Sequence, residues 1–441
     1  MSEEHVALRE GSRVALLVPG SVAYVELVIS LLAAGMFPVP LDPRLTATER
    51  ARVLEDVDPH LVVDSEDLLV RMVENTPARY RSALPRCRPM HVTSGTTGRP
   101  KGVYSGLLGV ADAEALVAEE RDLWGFCAED VNLVLSPLHH SAPLRFAMGT
   151  LLAGGRVVVP GPFDAAAVTA AIERERPTSM FCVPAHLQRL FAHWDALSGS
   201  EGRVPDLSCF RLVAHAGAPC PTHVKERLIE LFPDGSTWEF YGSTEGQFTA
   251  CRSEEWQQRP GTLGRARPGR VMSADADGML WCVVPPHARF EYFRDPEKTA
   301  AAWRETPEGP AFTVGDLGRV DEDGYVWLDG RREDLIISGG VNVYPAEVED
   351  LLGAVDGVDD VAVYGMPDDR WGQRVCAAYV GSASAEQVSA YAREHLAPAK
   401  RPKELHRLEA LPRTATGKVL RRELSRLPPA AAPAPEGRPR S

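Results

Sequence analysis

Short apolar runs alternate with helical patterns through the first hundred residues of the chain. Apolar runs of strand length occupy residues 14–18, 37–41 and 60–63, whereas helix-length patterns occupy residues 22–34 and 48–57. Short strand–helix–strand connections favour right-handed crossovers and therefore parallel strands. The opening pattern predicts an α/β domain with a mostly parallel sheet.

The same alternation returns between residues 131 and 240. Its apolar runs are at residues 132–136, 156–159, 179–183 and 210–214. From residue 261 to residue 328 the runs become short and are separated by Gly, Asp and Pro, which is typical of antiparallel β structure. We therefore predict a large N-terminal domain at residues 1–332, made of parallel-rich sheets flanked by helices, with a β-rich subdomain at about residues 261–332.

A second compact pattern follows the paired arginines at residues 331 and 332. The predicted strands are near residues 335–337, 358–364 and 375–380, and the predicted helices are near residues 346–352 and 385–395. We predict a small mobile α+β C-terminal domain at residues 333–427. The Pro/Ala-rich residues 428–441 are expected to form a disordered tail.

The net charge of the chain disfavours some classes of binding partner. The 441 residues include 48 Lys+Arg and 61 Asp+Glu, a net charge of −13. A surface of this sign disfavours nucleic acid and anionic membranes as partners, although a local basic site can still hold a phosphate.

Cysteine usage and hydropathy bear on the compartment. The eight cysteines are scattered without a Cys-x-x-Cys pair, so we expect reduced thiols, with no zinc site and no disulfide framework. The most apolar run, residues 22–37, contains Glu26 and is too short to span a bilayer, and the first 20 residues lack a signal-peptide pattern. We expect a cytoplasmic protein with no membrane span.

The strongest local signal is a loop rich in glycine and hydroxyl groups. Gly95 and Gly98 let the backbone approach a bulky anion, hydroxyls add donors, and Lys101 adds a positive charge. The pattern is not that of a P-loop kinase or ATPase, because no Ser or Thr follows Lys101. An ordinary polar turn is the alternative. The candidate phosphate-binding residues are Thr93, Ser94, Gly95, Thr96, Thr97, Gly98 and Lys101.

This loop resembles the signature of the adenylate-forming superfamily, which includes acyl-CoA synthetases, nonribosomal adenylation domains and firefly luciferase. Within that superfamily, its motifs most resemble those of bacterial fatty-acid, bile-acid and aromatic-acid CoA ligases. It is shorter than that superfamily usually is, and we expect the shortening in the N-terminal region.

A second motif, residues 239–246, matches the Tyr-Gly-x-Thr-Glu element of the superfamily. The resemblance implies that Tyr241 stacks on adenine beside Gly242, that Thr244 bonds the α-phosphate, and that Glu245 holds Mg²⁺. A flat ring suits a base and a hard carboxylate suits a hard cation. Taken alone, the motif is equally typical of a surface turn with an aromatic anchor.

Two further elements match nucleotide-binding parts of the superfamily. The resemblance implies that the small residues Ala216, Gly217 and Ala218 lie along adenine, where they permit close backbone approach. It also implies that Asp316 and Arg331 bind the ribose hydroxyls. The structural alternative for Asp316 is an aspartate at a turn between hairpin strands.

The C-terminal domain carries three matched positions. By resemblance, Lys418 is the catalytic lysine that meets the carboxylate and the α-phosphate, and Gly339 and Gly340 line the tunnel for the pantetheine arm of CoA. Glu333 falls on the hinge, where Asp or Lys is more common. A Gly-Lys before a basic helix is otherwise usually a solvated turn, so the inference rests on the motifs occurring together and in order.

The segment 136–143 resembles the Pro-x-x-His segment whose histidine gates the acyl pocket, and it selects His140. A structural histidine is the alternative; a metal role is disfavoured because no cluster of partner ligands accompanies it. The pocket segments lack a charged residue that would recognise an amino group, which disfavours an amino-acid-activating domain.

The resemblance implies an ATP-dependent acid–thiol ligase that needs ATP, Mg²⁺ and CoA. A carboxylic acid attacks the α-phosphate, giving acyl-adenylate and pyrophosphate, and a thiol then displaces AMP; Lys418, Thr244 and Glu245 are the implied catalytic residues. The alternatives left open are an enzyme that loads an acyl carrier protein and an inactive nucleotide-binding member. A homodimer is also left open.

Overall fold

The computed structural model describes residues 8–80, 83–93, 101–200, 204–331, 334–338, 341–368, 371–414 and 419–428. The chain divides into a larger unit, Met1–Val314 with Val320–Trp327, and a smaller unit, Gly315–Arg319 with Leu328–Ser441. This mixed α/β architecture, with a larger and a smaller unit, confirms the predicted fold class. The exact domain boundary at residue 332 and the disordered tail stay predictions, since residues 332–333 and 429–441 lie outside the described part of the chain.

A three-stranded parallel sheet of order β2-β1-β3 opens the larger unit. Its elements are β1 (Arg13–Leu16), α1 (Val22–Ala33), β2 (Phe37–Pro40), α2 (Ala47–Val57), β3 (Leu61–Val63) and α3 (Glu66–Glu74). Helix α1 is buried on nearly every side, which explains its continuous apolar pattern. Helix α2 begins after Thr46, which forms a capping box with Glu49.

A seven-stranded sheet forms the centre of the larger unit. Its strands are β6 (Val131–Val134), β7 (Arg156–Val158), β8 (Ser179–Cys182), β9 (Leu212–His215), β10 (Thr237–Gly242), β11 (Gln247–Arg252) and β12 (Arg265–Ala266). The order is β12-β11-β10-β9-β8-β6-β7, parallel from β10 to β7 and antiparallel at β11 and β12. The helices between them are α4 (Val110–Trp124), α5 (Ser141–Leu152), α6 (Ala165–Glu175), α7 (Pro184–Ser200), α8 (Thr222–Leu231) and α9 (Ser253–Gln258).

Antiparallel structure completes the larger unit, as the short runs predicted. A four-stranded sheet contains β13 (Val271–Ala274), β14 (Leu280–Val283), β16 (Trp303–Thr306) and β17 (Gly309–Phe312). A three-stranded sheet contains β4 (Val92–Thr93), β5 (Lys101–Tyr104) and β15 (Glu291–Tyr292), and α10 (Pro296–Ala302) follows β15. A two-stranded sheet, β18 (Asp316–Val320) with β19 (Val326–Arg331), has residues in both units.

The smaller unit has a sheet with helices and a core of its own; its strands are antiparallel except that β24 pairs with β23 in parallel. Its elements are β20 (Ile336–Ser338), β21 (Val341–Val343), α11 (Pro345–Gly353), β22 (Val358–Asp368), β23 (Gly372–Gly381), α12 (Ala385–His395), β24 (Glu404–Arg407) and α13 (Arg421–Leu424). Val348, Leu352, Val363, Val375 and Val388 are buried together in its core. Across the described ranges of both units, no helix is both long and apolar enough to cross a membrane.

Candidate active site

Several candidate residues of the larger unit lie at or just after the carboxyl ends of neighbouring parallel strands. His140 comes after β6, Ala216 after β9, and Tyr241 and Glu245 lie at the end of β10 or just beyond it. Because β6, β8, β9 and β10 are adjacent and parallel, these ends meet at one edge of the sheet. Open α/β sheets bind ligands at this edge.

The flanks of the predicted phosphate loop form a short antiparallel pair. Thr93 in β4 lies opposite Lys101 in β5, and the Thr93 hydroxyl donates to the Lys101 carbonyl at 3.4 Å. The Lys101 ammonium lies 3.3 Å from a carboxylate oxygen of Asp295. The other predicted loop residues lie outside the described residues, namely Ser94, Gly95, Thr96, Thr97 and Gly98.

A tight turn between β10 and β11 presents Thr244 and Glu245. The Ser243 N–H donates to the Gly246 carbonyl at 2.8 Å, and the Ser243 hydroxyl accepts from the Glu245 N–H at 3.2 Å. At Gly246 a Cβ atom would lie only 2.7 Å from the ring of Phe312, so glycine is required by close packing. The turn is therefore held both by its own hydrogen bonds and by the packing at Gly246.

The aromatic ring predicted to stack on adenine is packed from within the same hairpin. The Tyr241 ring is buried and stacks on Phe248 with centroids 4.6 Å apart. Gly242, between Tyr241 and the turn, has no room for a side chain, because a Cβ would lie 2.9 Å from Gln247 Oε1 and 3.0 Å from the Gly246 carbonyl. The adenine role of these residues stays a prediction.

Tyr292, Asp295 and Lys298 connect the Glu245 turn to the flank of the phosphate loop. The Tyr292 hydroxyl donates to Glu245 Oε1 at 2.9 Å, and the Lys298 ammonium lies 3.9 Å above the Tyr292 ring. Asp295 caps α10 by accepting from the Lys298 N–H at 3.0 Å, and it also faces Lys101. Burial lowers the pKa of Lys298, although the charges of Glu245 and Asp295 oppose that shift.

Sequence reasoning missed these three residues. The Asp-Pro pair at residues 295–296 is a recognisable helix start, but it gives no indication of which motif the helix will approach.

The chemistry around Glu245 fits a magnesium ion that is held jointly with a nucleotide. Glu245 is only 8% exposed, and one of its two carboxylate oxygens accepts from Tyr292. Among the described residues, no group of three or more His, Cys, Asp or Glu side chains could hold a metal by itself. Mg²⁺ is commonly bound through one or two carboxylates together with substrate phosphates, so a single carboxylate suits the predicted role.

The predicted adenine loop follows β9 above a buried charged cluster. Gly217 has a φ of +91°, which favours glycine, and a Cβ atom at this position would lie 3.5 Å from Val183. His215 pairs with Glu239 across β9 and β10, and the ammonium of Lys225 lies 2.8 Å from His215 Nε2 and 3.5 Å from Glu239.

All three residues of this cluster are almost fully buried. Burial, followed by the charge of Lys225, places the pKa of His215 well below its usual range, so the imidazole is neutral and accepts from Lys225. Burial is also the largest influence on Glu239, whose pKa is raised. The sequence patterns gave no sign of this cluster, which joins β9, the strand before Ala216, to β10, the strand that contains Tyr241.

Several predicted residues belong to the smaller unit. Asp316 is buried at the start of β18, and Arg331 is the last residue of β19. Glu333, Gly339, Gly340 and Lys418 lie outside the described residues. Their ribose, hinge, tunnel and catalytic roles stay predictions.

His140 occupies the N-cap position of α5 and packs its ring 4.1 Å from that of His139. Burial, followed by the repulsion that the His139 and His91 rings would exert once protonated, lowers the pKa of His140 to about 3, so the ring is neutral at pH 7. The next residue, Ser141, lines the adjacent cavity, whereas His140 is not among the residues that line it. A pocket role for His140 stays a prediction.

A cavity of about 240 Å³ lies between α4, α5 and the residues preceding β4. Its apolar lining includes Leu116, Leu144, Met148, Leu152 and Val284. Thr244, Gly246 and His91 also line it, so the cavity reaches the turn that carries Glu245. A mostly apolar cavity with a few convergent polar groups is typical of a small-molecule site.

Two family models match the chain. The model described as AMP-binding enzyme matches residues 4–85 and 90–281, and the model described as AMP-binding enzyme C-terminal domain matches residues 347–418. The first model alone covers more than half of the chain.

Curated relatives match the chain over nearly its whole length. A 2-succinylbenzoate–CoA ligase from Bacillus cereus is 31% identical over 449 residues, covering 96% of this chain and 90% of that protein. A feruloyl-CoA synthase from Amycolatopsis sp. is 33% identical over 461 residues, covering 95% of this chain and 89% of that protein.

Solved structures of such enzymes share the fold. An o-succinylbenzoate CoA synthetase from Bacillus subtilis in complex with its acyl-adenylate intermediate superposes with a TM-score of 0.79 at 25% identity, covering 96% of this chain and 90% of that one. A structure of the enzyme of that name with ATP and a magnesium ion gives a TM-score of 0.77 at 26% identity, covering 95% of this chain and 90% of that one.

Proposed function

The chain belongs to the AMP-binding enzyme family, and from this premise we propose which of its residues carry the reaction. The protein is an AMP-forming acid–CoA ligase. It adenylates a carboxylic acid with Mg-ATP, releasing pyrophosphate, and it then transfers the acyl group to CoA. The assignment of residues to these two steps is the proposal.

One observation carries the assignment for the first step. Thr244 lines the cavity, while its neighbour Glu245 is joined through Tyr292 to the segment that faces Lys101. This arrangement supports an acid in the cavity whose carboxylate lies beside Thr244, with the triphosphate between Glu245 and the loop that ends at Lys101. The acid and the α-phosphate would then be positioned for attack without an enzyme nucleophile.

Each side chain would act through position and charge. Glu245 would hold Mg²⁺, whose contribution when bound is to neutralise charge on the phosphate oxygens. Thr244 would donate to an α-phosphate oxygen, and Lys101 would supply a cation to the departing pyrophosphate. Tyr292 would orient the Glu245 carboxylate through its hydroxyl hydrogen bond.

Adenine and ribose are assigned to the remaining matched positions. The loop of Ala216, Gly217 and Ala218 follows β9 next to the strand that carries Tyr241, which supports an adenine ring between that loop and Tyr241. Asp316 and Arg331 are proposed for the ribose hydroxyls. For the second step we propose that Gly339 and Gly340 admit the pantetheine arm after rotation about Glu333.

The test is acid-dependent ATP–pyrophosphate exchange on a panel of carboxylic acids. We expect exchange with at least one acid and CoA-dependent AMP release with the same acid. Glu245→Gln should reduce exchange by at least about 100-fold, because a metal-binding carboxylate is lost. Glu173→Gln, an exposed change on α6, should leave exchange unchanged. Exchange that survives Glu245→Gln at the wild-type rate would contradict the assignment.

Three finer predictions also remain proposals. An acyl carrier protein in place of CoA would appear as AMP release that depends on the carrier and not on free CoA. A homodimer would appear at twice the chain mass in solution scattering. Cytoplasmic location, expected from the sequence, is tested by fractionation of the source cells.

A further inference from the structure

The cavity is lined by more charge than an apolar acyl group requires. Among the described residues, the charged groups that line it are Arg88, Glu119, Glu120, Arg121, Arg145 and Arg270. Arg121 is largely exposed and is paired with Asp122. The others come from α4, α5, the residues before β4 and the residues after β12, so they converge only in the folded chain.

Both carboxylate oxygens of Glu119 are occupied, by two arginines and a histidine. Its Oε1 lies 2.9 Å from Arg267 and 2.8 Å from Arg270, and its Oε2 lies 2.8 Å from His287 Nε2. Burial alone would raise the pKa of Glu119, but the His287 hydrogen bond and the two arginines bring it down to about 2. This carboxylate is therefore charged and already neutralised.

Glu120 is also occupied. Arg267 donates to its Oε1 at 2.6 Å, the Trp124 indole donates to its Oε2 at 3.0 Å, and Arg145 Nε lies 3.1 Å from the same Oε2. The net effect of burial opposed by these arginines is a lowered pKa, so Glu120 is ionised as well. Neither glutamate has charge to spare for a further cation.

Arg88 and Arg145 retain unused hydrogen-bond donors. Arg88 donates to the Arg289 carbonyl at 2.7 Å, yet its Nε is buried without a hydrogen-bond partner in the described structure, as is Nη2 of Arg145. Burial lowers the pKa of each arginine to about 10, so both stay charged at neutral pH. His91 beside them is neutral, because burial lowers its pKa to about 4.

The described cluster therefore holds four arginines against two glutamates, counting Arg267, and two positive charges are in excess. Buried cations without anionic partners are costly, and buried donors are normally satisfied. An anion bound in the cavity would neutralise the excess positive charge and accept hydrogen bonds from the unused donors. The reacting carboxylate cannot do so through the whole cycle, because its charge is lost when the adenylate forms.

We propose that the acid carries a second anionic group, and that Arg145 and Arg88 bind it in the cavity. This inference rests on the proposed function. The volume limits the rest of the molecule: a cavity of about 150 Å³ holds benzene, so 240 Å³ admits one ring or a short chain with small substituents. The substrate class is a compact dicarboxylic acid, aromatic or aliphatic, rather than a long-chain fatty acid.

The experiment uses the full-length enzyme and pairs of acids that share a skeleton. The pairs are 2-succinylbenzoate with 4-oxo-4-phenylbutanoate, 2-carboxyphenylacetate with phenylacetate, and glutarate with pentanoate. Ferulate serves as a monoacid with a neutral substituent. We expect kcat/KM in pyrophosphate exchange to be at least about 30-fold higher for the diacid in the best-used pair, the scale of a charge-assisted hydrogen bond in a buried site.

Arginine variants test where the second group binds. Arg145→Gln and Arg88→Gln should raise KM for the diacid by about 10-fold or more, leave KM for its monoacid partner within about 2-fold, and preserve ATP binding. Arg145→Lys should restore part of the preference because it keeps the charge. Arg174→Gln, an exposed arginine on α6, is the matched control. Arg88→Gln breaks no ion pair with Glu120, so it remains informative if Arg145→Gln is unfolded.

The outcomes separate this inference from the function itself. Monoacids used as well as diacids in every pair, or ferulate used best, would overturn the dianionic substrate and leave the ligase intact. Loss of ATP binding in Arg145→Gln would also overturn it, since the excess charge would then serve the nucleotide. If the wild-type enzyme supports no exchange with any acid, the proposed function fails first.

Discussion

The hydroxyl of Tyr292 donates a hydrogen bond to Oε1 of Glu245 across 2.9 Å, with both side chains buried. The two residues are distant in sequence, and the bond joins the turn after β10 to the short strand β15. It fixes the orientation of the one carboxylate that is proposed to bind Mg²⁺. Such a partner behind a metal ligand commonly changes metal affinity by about 10- to 100-fold.

Tyr292→Phe should therefore weaken the response to magnesium without unfolding the protein. We expect the Mg²⁺ concentration for half-maximal pyrophosphate exchange to rise by about 10-fold, because Glu245 loses the hydrogen bond that orients it. The maximal rate at saturating Mg²⁺ should change less. Tyr325→Phe is the matched control, since its hydroxyl meets Glu255 on α9 at a long 3.4 Å. An unchanged Mg²⁺ dependence would contradict the orienting role.

The buried cluster below the adenine loop should contribute strongly to stability. Lys225→Met leaves Glu239 buried without its cation, and breaking a buried charged pair by removing one partner costs about 3–5 kcal/mol. We expect a loss of that size in the free energy of unfolding by urea. ATP affinity should also fall, because His215 directly precedes Ala216.

A surface ion pair supplies the comparison for Lys225. Lys400 pairs with Glu347 where both side chains are partly exposed, so Lys400→Met should cost no more than about 1 kcal/mol. If Lys225→Met costs as little as Lys400→Met, the buried cluster does not stabilise the fold.

The sequence predicted the long, buried elements of the fold better than the short or partly exposed ones. The alternation at residues 14–63 predicted β1, α1 and β2 closely, because a buried strand or helix appears in the sequence as a run of mostly apolar residues. The antiparallel pair of β4 and β5 was not foreseen, since β4 has only two residues and carries no periodicity. The strands β22 and β23 extend beyond the predicted apolar runs. The prediction missed their outer residues because these are only partly buried and therefore not consistently apolar.

The residues of the candidate site fall into two groups: those that belong to a local sequence motif and those that depend on a contact with a distant part of the chain. Thr244, Glu245 and Lys101 were proposed from local motifs, because the chemistry assigned to them requires neighbouring residues of fixed type, and their roles stay predictions. Tyr292 and Arg145 could not be identified from local motifs, since the role proposed for each depends on a contact with a residue distant in sequence. A single tyrosine or arginine in a sequence gives no indication of which carboxylate it will meet.

Acid should destabilise the larger unit through His91. Its pKa in the folded protein is about 4, below the ordinary 6.5, because burial disfavours the charged ring. Between pH 6.5 and pH 4 the unfolded chain binds a proton at this position and the folded chain does not, so the free energy of unfolding falls as pH falls. The contribution of His91 reaches about 3 kcal/mol by pH 4.

His91→Gln should flatten that pH dependence by the same amount. Urea unfolding at pH 7, 6, 5 and 4 measures the slope, and the wild type and variant should converge as pH falls. His223→Gln, an exposed histidine on α8, should leave the slope unchanged. Parallel curves for wild type and His91→Gln would show that His91 titrates normally in the folded protein.

Lys418 should separate the two half-reactions. Its proposed role is to stabilise charge that builds up at the α-phosphate during adenylation, whereas CoA attack on the acyl carbon needs no cation there. We expect Lys418→Ala to abolish pyrophosphate exchange and to retain thioester formation from supplied acyl-adenylate and CoA within about 5-fold of wild type. Lys400→Ala, a surface lysine of the smaller unit, should spare both steps. Equal loss of both steps in Lys418→Ala would mean that the lysine serves both chemical steps or the fold, and the rotation about Glu333 would then lose its support.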